Sequence, residues 1–142
     1  MREIFTSRSD SVARTEEIAC DFAKILKPGD VVALCGDLGA GKTAFVRGLT
    51  SALGGNGKTV SSPTFSLVNE YDADIKIFHF DVYRLENAGI DELDWLDDYL
   101  FNDGVCLIEW AEYVLSVLPK PYYRVDIEKI SEAERIFTCR EC

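Results

Sequence analysis

The chain has 142 residues, of which 47% are hydrophobic, and its 15 basic and 25 acidic side chains give a net charge of −10. A chain of this length can bury roughly 70% of its unfolded surface in one core, so we expect a single domain over residues 1–142. The acidic balance argues against a protein that grips nucleic-acid phosphates by itself. Because the longest apolar runs are far shorter than the ~20 residues of a membrane span and no signal-peptide pattern is present, we expect a cytoplasmic protein without membrane contact.

The excess acidity is confined to one segment. Residues 70–112 hold 13 carboxylates and only two basic side chains, whereas the rest of the chain holds 12 acidic and 13 basic residues. Carboxylates between Asp91 and Asp98 alternate there with leucine and tryptophan. Such a run is typical of a solvated helix face, and its apolar residues leave a docking surface for a basic partner as the alternative.

The five cysteines do not indicate a disulfide framework. Cys35 and Cys106 lie in apolar, strand-like runs, where a reduced thiol behaves as a small hydrophobe. Cys139 and Cys142 form a C-x-x-C without a second pair or a histidine nearby. This favours thiols in a frayed terminus over a metal site.

The first half of the chain reads as strand, helix, strand, helix. Residues 3–6 predict a short strand, and Ser9 or Ser11 is the candidate cap of a helix that runs to about Leu26. Residues 31–35 are continuously apolar and predict a buried central strand, and a second helix is predicted from about Lys42 to Leu53. The apolar positions of the first helix are Val12, Ile18, Phe22 and Leu26.

The second half adds two hairpins. Residues 66–71 and 75–83 predict one antiparallel hairpin, and residues 122–130 and 135–139 predict another at the end. Between them we expect an acidic helix over residues 90–101, a buried strand over residues 105–110 and a short helix over residues 111–118. The order predicts an α/β fold, a three-layer sandwich with a mixed sheet and antiparallel hairpins.

Residues 36–43, GDLGAGKT, match the phosphate-binding loop pattern G-x-x-x-x-G-K-[ST]. A buried strand precedes the loop and a helix begins at its lysine, so backbone N–H groups and the helix N-terminus can converge on phosphate. Glycines keep side chains out of the way of the phosphates. The sequence therefore predicts a P-loop NTPase-like fold, with phosphate contacts from Gly36, Asp37, Leu38, Gly39, Ala40, Gly41, Lys42 and Thr43.

A phosphate loop also needs a magnesium ligand and a group that orients the attacking water. Lys42 is expected to reach the β- and γ-phosphates, and the Thr43 hydroxyl to ligate Mg²⁺. Glu109 and Asp81 each end an apolar strand, so both are expected at the carboxyl edge of the sheet beside the loop. The sequence leaves open which of the two belongs to the magnesium shell and which acts in catalysis.

Three further residues are candidates with ordinary structural alternatives. Thr64 follows Pro63 in a segment placed like a nucleotide-sensing switch, and otherwise is a plain turn residue. Trp110 either stacks on a base or fills the core, and without further information the core is favoured. Strand alternation puts His79 on the same face as Asp81, and a lone strand histidine is usually structural.

The nucleotide is expected to be ATP. The chain lacks the N-K-x-D and D-x-x-G patterns, which disfavours an ordinary GTPase. A P-loop small-molecule kinase is a weaker alternative, because Arg84 is the only arginine between Thr59 and Leu118 and such kinases usually carry an arginine-rich lid. The third alternative is a nucleotide-gated binding module, in which ATP occupancy rather than hydrolysis carries the signal.

Four segments, GDLGAGKT, SSPTFSLVNEY, HFDVYRL and LIEWAE, together resemble the TsaE family of bacterial ATPases of tRNA threonylcarbamoyladenosine biosynthesis. The resemblance implies weak ATP hydrolysis with Mg²⁺, partnership with TsaB and TsaD, and contact with tRNA only through that complex. It also implies that Lys42 and Thr43 bind phosphate and magnesium, and that Glu109 belongs to the magnesium shell. By the same resemblance Thr64 lies in a switch-like loop, Asp81 positions water and Trp110 lies near the nucleotide.

Overall fold

The computed structural model describes residues 1–36, 41–61, 63, 68–86, 89–100 and 103–142, with the backbone alone at residues 90–92. The strands are β1 (Arg2–Ser9), β2 (Val31–Gly36), β3 (Val68–Tyr71), β4 (Ile77–Asp81), β5 (Val105–Glu109), β6 (Tyr123–Lys129) and β7 (Arg135–Glu141). The α-helices are α1 (Val12–Ala23), α2 (Lys42–Ala52) and α3 (Asp97–Leu100).

These strands form one mixed sheet in the order β1-β7-β6-β2-β5-β4-β3. The four strands β6, β2, β5 and β4 run parallel to each other, and the antiparallel pairs β3–β4, β6–β7 and β1–β7 flank them. β2 and β5 lie at the centre because their apolar runs can be buried on both faces. The predicted mixed sheet and its two antiparallel hairpins are confirmed.

Alternate residues of the central strands belong to two apolar clusters, one on each face of the sheet. On one face Val32 and Leu34 belong to the same cluster as Phe22 of α1 and Phe45 of α2. On the other face Ala33 and Cys35 share a cluster with residues from the segments around α3 and after β5. The sheet therefore has a covering layer on both sides, as the predicted three-layer sandwich requires.

The first helix is capped by Ser11, whose Oγ accepts a hydrogen bond from the Arg14 backbone N–H (3.0 Å). Ser9, the other candidate cap, ends β1, and α1 ends at Ala23 rather than near Leu26. The expectation that Val12 belongs to the apolar face was wrong, because its side chain is 60% exposed. Side chains of a helix tilt toward its N-terminus, so this first residue points away from the buried layer.

The two predicted helices on the opposite face take another form. Ile90–Leu96 is a 3₁₀ helix followed by the four-residue α3, and residues 111–118 form two separate 3₁₀ turns, Ala111–Tyr113 and Leu115–Val117. In a 3₁₀ helix residues three apart align, so Leu93 and Leu96 are both buried. The prediction of one long amphipathic α-helix over residues 90–101 was therefore wrong. The last of these residues lies outside the described part of the chain.

The carboxyl terminus is fixed to the sheet rather than frayed. Cys139 is fully buried in β7, and the backbone of Cys142 exchanges two hydrogen bonds with Tyr122 (2.8 and 3.0 Å). All five cysteines are free thiols. Within the described ranges, no helix is long and apolar enough to cross a membrane.

Candidate functional site

The carboxyl ends of three parallel strands bring the predicted site residues to one edge of the sheet. Leu34 of β2 pairs with Glu109 of β5, and Glu109 in turn pairs with Asp81 of β4. Gly36 ends β2 at the same edge, and α2 begins at Lys42. Ligands of open α/β sheets bind at this edge, so the arrangement suits a nucleotide site.

Gly41 makes the entry to α2 possible. Its φ of 102° lies in the left-handed region, where a side chain is strained, and it is the N-cap residue of the helix. The neighbouring loop residues Asp37, Leu38, Gly39 and Ala40 lie outside the described part of the chain. Their phosphate contacts stay a prediction from the loop pattern.

The Lys42 side chain folds back over the end of β2. Its Nζ donates a hydrogen bond to the Gly36 carbonyl oxygen (2.5 Å) and lies 3.5 Å from the centre of the Trp110 ring. Burial lowers the pKa of Lys42, and the carboxylates of Glu112, Glu109 and Asp81 act against this effect. The site thus holds a cation in a partly dehydrated place, where an anionic ligand would be bound strongly.

The next residue of α2 reaches across to β5. The Thr43 hydroxyl donates a hydrogen bond to Glu109 Oε1 (3.4 Å), which joins the two residues predicted to serve magnesium. The Thr43 hydroxyl and the Glu109 carboxylate both offer oxygen atoms, the ligands that Mg²⁺ prefers. Among the residues that the structure describes, no three acidic, histidine or cysteine side chains converge. Two protein oxygens fit an ion that completes its shell with water and phosphate oxygens.

Glu109 is buried and is held from its other side by a histidine. Its side chain is 4% exposed, and its Oε2 contacts His79 Nε2. His79 Nδ1 lies 2.9 Å from the Tyr71 hydroxyl, and that hydroxyl also contacts the backbone of Ser61. Sequence reasoning did not select Tyr71. Its contact with His79 depends on the register of the hairpin, which pairs Tyr71 with Ile77 and so puts His79 one same-face position away.

Asp81 lies at the same edge but is more exposed than Glu109. Its Oδ1 accepts a hydrogen bond from the Tyr83 backbone N–H (3.0 Å). The carboxylate therefore marks the end of β4, beside the Glu109 end of β5. The two acids predicted from the sequence have different surroundings. Glu109 is buried in contact with His79, and Asp81 is partly exposed to solvent.

Trp110 has the one non-glycine backbone with positive φ in the described ranges (φ 61°). It packs parallel to Tyr113 at 5.9 Å and against Tyr83 at 4.8 Å, and its ring also contacts the Lys42 ammonium. The ring is only half-buried, so the favoured core interpretation is incomplete. Strained backbone residues are common at functional sites, and this one directly follows Glu109.

A cleft of about 260 Å³ lies next to the start of α2. Gly41 and Ala44 line one side of it, and the β1–α1 junction and the β6–β7 turn line the others. The lining residues outside α2 include Asp10, Ser11, Thr15, Glu132 and Arg135. Thr64, the predicted switch residue, lies outside the described part of the chain, so its position relative to this edge stays a prediction.

Comparisons with known proteins assign the family. The model of the family described as "Threonylcarbamoyl adenosine biosynthesis protein TsaE" matches residues 9–137. The chain belongs to the TsaE family. The resemblance seen in the four sequence motifs is thereby confirmed.

Relatives named tRNA threonylcarbamoyladenosine biosynthesis protein TsaE support the assignment. The one from Bacillus subtilis is 41% identical over 92% of this chain and 82% of its own length. The one from Haemophilus influenzae is 43% identical over 81% of this chain and 76% of its own length. The crystal structure of B. subtilis YdiB superposes with a TM-score of 0.78 at 34% identity, covering 98% of this chain and 86% of that one. Lys42, Thr43, Asp81 and Glu109 all lie inside the span matched by the TsaE model.

Proposed function

We propose that this protein is a Mg²⁺-dependent subunit that binds and hydrolyses ATP during threonylcarbamoyl modification of the tRNA adenosine beside the anticodon. The observation that carries the proposal is the contact of Thr43, beside Lys42 at the start of α2, with Glu109 at the end of β5. Membership of the TsaE family supports the pathway. In this proposal the protein works in the cytoplasm with TsaB and TsaD, and its net charge of −10 leaves tRNA contact to them.

Lys42 and the loop provide the phosphate end of the proposed site. The Lys42 ammonium has the Gly36 carbonyl as its hydrogen-bond acceptor, and phosphate oxygens would replace that carbonyl with a full negative charge. By the loop pattern, backbone N–H groups before α2 and the start of that helix would add partial positive charge. Such charge is placed in advance and therefore stabilises the charge that develops on the γ-phosphoryl group.

Thr43 and Glu109 are the proposed holders of Mg²⁺. The bound ion would neutralise negative charge shared by the β- and γ-phosphates. We assign the partly exposed Asp81 to orienting the attacking water, because the buried Glu109 carboxylate already has two partners in Thr43 and His79. Water then attacks the γ-phosphorus as the bond to the ADP oxygen breaks, which yields ADP and phosphate.

The cleft beside Gly41 and Ala44 is the proposed location of the adenosine end. It lies next to the helix start that would bind the phosphates, and its volume of about 260 Å³ is of the size of a nucleoside. Trp110 contacts the Lys42 ammonium and would therefore lie at the phosphate end of the site.

ATP hydrolysis by the purified protein, alone and with TsaB and TsaD, tests the proposal. We expect low activity alone and higher activity with both partners. Lys42→Ala should reduce the rate about a hundredfold or more, since it removes a preorganised cation from the phosphate end. Lys58→Ala is the matched control, because Lys58 is an exposed lysine on a neighbouring 3₁₀ turn and should leave the rate unchanged.

The outcomes separate the alternatives. Equal activity with and without the partners would contradict the pathway assignment, and full activity of Lys42→Ala would contradict the site. Transfer of labelled phosphate to a metabolite would indicate a kinase instead. An Asp81→Asn variant that binds ATP without cleaving it, yet still supports tRNA modification, would indicate a nucleotide-gated module.

A further inference from the structure

We propose that His79 is a positioning residue that fixes the Glu109 carboxylate against Thr43, and that Tyr71 joins this pair to the backbone of Ser61. The inference rests on the proposed function, because it gives the buried histidine a task at the proposed magnesium site. It concerns four side chains, on α2, β5, β4 and β3, whose polar atoms form one continuous chain of contacts.

The two oxygens of Glu109 have separate partners. Oε1 accepts from the Thr43 hydroxyl, and Oε2 contacts His79 Nε2. With one oxygen held by the imidazole, the carboxyl group cannot rotate freely, so the other oxygen stays directed at α2. Partners of this kind behind a metal ligand commonly fix its orientation and raise metal affinity.

Core packing alone does not explain His79. The ring is fully buried, with Ile77 and Leu107 of the apolar cluster as its neighbours on the same face of β4 and β5. A leucine would pack there without the cost of dehydrating two ring nitrogens. Both nitrogens instead have polar partners, Glu109 on one side and Tyr71 on the other. The buried polar chain is thus complete at the histidine, as a network that specifies one geometry must be.

The donors and acceptors along this chain of contacts connect Glu109 to Ser61. Glu109 as a carboxylate only accepts, so the contact at Nε2 is a hydrogen bond that the ring N–H donates to Glu109 Oε2. The Tyr71 hydroxyl lies 2.9 Å from Nδ1 and 3.1 Å from the Ser61 carbonyl oxygen, so its single proton can serve either acceptor. The Ser61 N–H donates to the same hydroxyl (3.3 Å). Tyr71 therefore couples the histidine to both backbone groups of Ser61.

Ser61 is held at this point by a second side chain as well. The Asn69 amide donates to the Ser61 carbonyl oxygen (3.1 Å), so two residues of β3 fix its backbone. Ser61 lies two positions before Pro63 in the sequence. The contacts thus connect the magnesium end of the site to the chain that enters the S-S-P-T segment.

The test compares two substitutions of His79 whose side-chain amides reach different partners. The amide of His79→Gln can occupy the Nε2 position and keep the donor to Glu109, whereas the shorter amide of His79→Asn occupies the Nδ1 position and reaches only Tyr71. ADP affinity is measured by calorimetry for each folded variant, once with MgCl2 and once with EDTA. We expect His79→Asn to lose about tenfold or more of the affinity gained from Mg²⁺, with affinity in EDTA unchanged, and His79→Gln to retain most of it.

A second measurement addresses Tyr71 without disturbing the carboxylate. Tyr71→Phe keeps the ring and removes the hydroxyl, so amide hydrogen exchange at Ser61 should become about tenfold faster while the melting temperature shows a folded protein. An unchanged Ser61 exchange rate would overturn the Tyr71 part of the proposal.

The remaining outcomes are distinct from failure of the proposed function. Wild-type affinity for Mg²⁺-ADP in His79→Asn, or equal losses in the Asn and Gln variants, would overturn the positioning role alone. Absence of Mg²⁺-dependent ADP binding in the wild type would overturn the proposed function, and this inference with it.

Discussion

Trp110 has a backbone that most residues avoid and a ring in contact with a cation. Its φ of 61° costs of the order of 1 kcal/mol or more in a residue with a side chain, and the fold maintains it directly after Glu109. The ring lies 3.5 Å from the Lys42 ammonium, so any ligand that draws the ammonium away changes the surroundings of the indole.

Trp110 should therefore report nucleotide binding by its fluorescence. We expect ADP to change the emission of the wild type and of Trp95→Phe, because Trp95 packs on Phe80 and Tyr99 whereas the Lys42 ammonium lies over Trp110. Trp110→Phe should show little change, although it still binds ADP by calorimetry. A full signal in Trp110→Phe would contradict the proposed displacement of Lys42.

The buried thiol of Cys106 gives a second prediction for a single residue, which concerns stability at alkaline pH. Burial raises the pKa of its thiol from 9.0 to about 12. The unfolded chain therefore loses this proton first as the pH rises, so the contribution to stability is complete below pH 9 and is lost between pH 9 and about 12.

Cys106→Ala should flatten the alkaline loss of stability. The free energy of unfolding of the wild type should fall by about 1 kcal/mol more than that of the variant between pH 8 and pH 10, since one pKa unit corresponds to about 1.4 kcal/mol. Urea unfolding at the two pH values measures this difference. Cys20→Ala is the control because Cys20 is exposed, and an equal effect of both substitutions would show that burial of Cys106 is not the cause.

Gly48 of α2 lies in close contact with α1. A Cβ at this position would lie 2.8 Å from the Ala19 Cβ and 2.9 Å from the Glu16 backbone of α1. Because backbone atoms cannot swing aside, the helices would have to separate. The glycine thus sets the spacing of the layer that positions Lys42 and Thr43.

Gly48→Ala should be destabilising by about 1 kcal/mol or more in spite of better helix propensity. Alanine favours a helix interior by about 1 kcal/mol, but overpacking typically costs about 1–3 kcal/mol. Thermal unfolding monitored by circular dichroism measures the net effect. Ser51→Ala, at an exposed position of α2, gains propensity without a clash, and a Gly48→Ala variant as stable as Ser51→Ala would rule out the close contact.

Sequence patterns predicted the elements where one strong signal dominated. β2 and β5 follow from apolar runs that only a central strand can bury, and the entry to α2 follows from the loop pattern. The sequence predicts helices at residues 90–101 and 111–118, but Ile90–Leu96 is a 3₁₀ helix followed by the short α3, and residues 111–118 form two 3₁₀ turns. Their local sequence does not distinguish the two helix types, since the packing surface decides between them.

In the candidate site, too, some residues follow from the sequence and others do not. Lys42, Thr43, Asp81 and Glu109 could be predicted because a loop motif and two strand-end acids are visible in the sequence. The contacts of Tyr71 with His79 and Ser61 could not, because they depend on the register of β3 against β4 and on the path of the chain before Pro63. The strained backbone of Trp110 leaves no sequence signal at all.

At the scale of the whole molecule, the charge is segregated. The carboxylates of Asp94, Asp97 and Asp98 are exposed on the face opposite α1 and α2, whereas the neighbouring Leu93 and Leu96 are buried. An acidic surface of this kind speeds encounter with a basic partner and disfavours nucleic acid. We therefore assign this surface to the proposed partners rather than to tRNA.

Reversal of these three charges to lysine should weaken complex formation with TsaB and TsaD. Co-sedimentation of the three purified proteins at two salt concentrations measures the effect, which should be larger at low salt. The control makes the same change in net charge at Glu3, Asp21 and Glu128, which are exposed elsewhere. Unchanged assembly of the Asp94, Asp97 and Asp98 variant would remove this surface from the account.

The most direct test of the central claim is calorimetric titration of the protein with ATP, in Mg²⁺ and in EDTA, for the wild type, Thr43→Val and Glu109→Gln. We expect one ATP per chain and tighter binding with Mg²⁺, because Thr43 and Glu109 would provide oxygens beside the phosphates. Each variant should lose the gain from Mg²⁺ and keep the affinity seen in EDTA. A wild type without ATP binding, or variants that keep the full Mg²⁺ effect, would contradict the account.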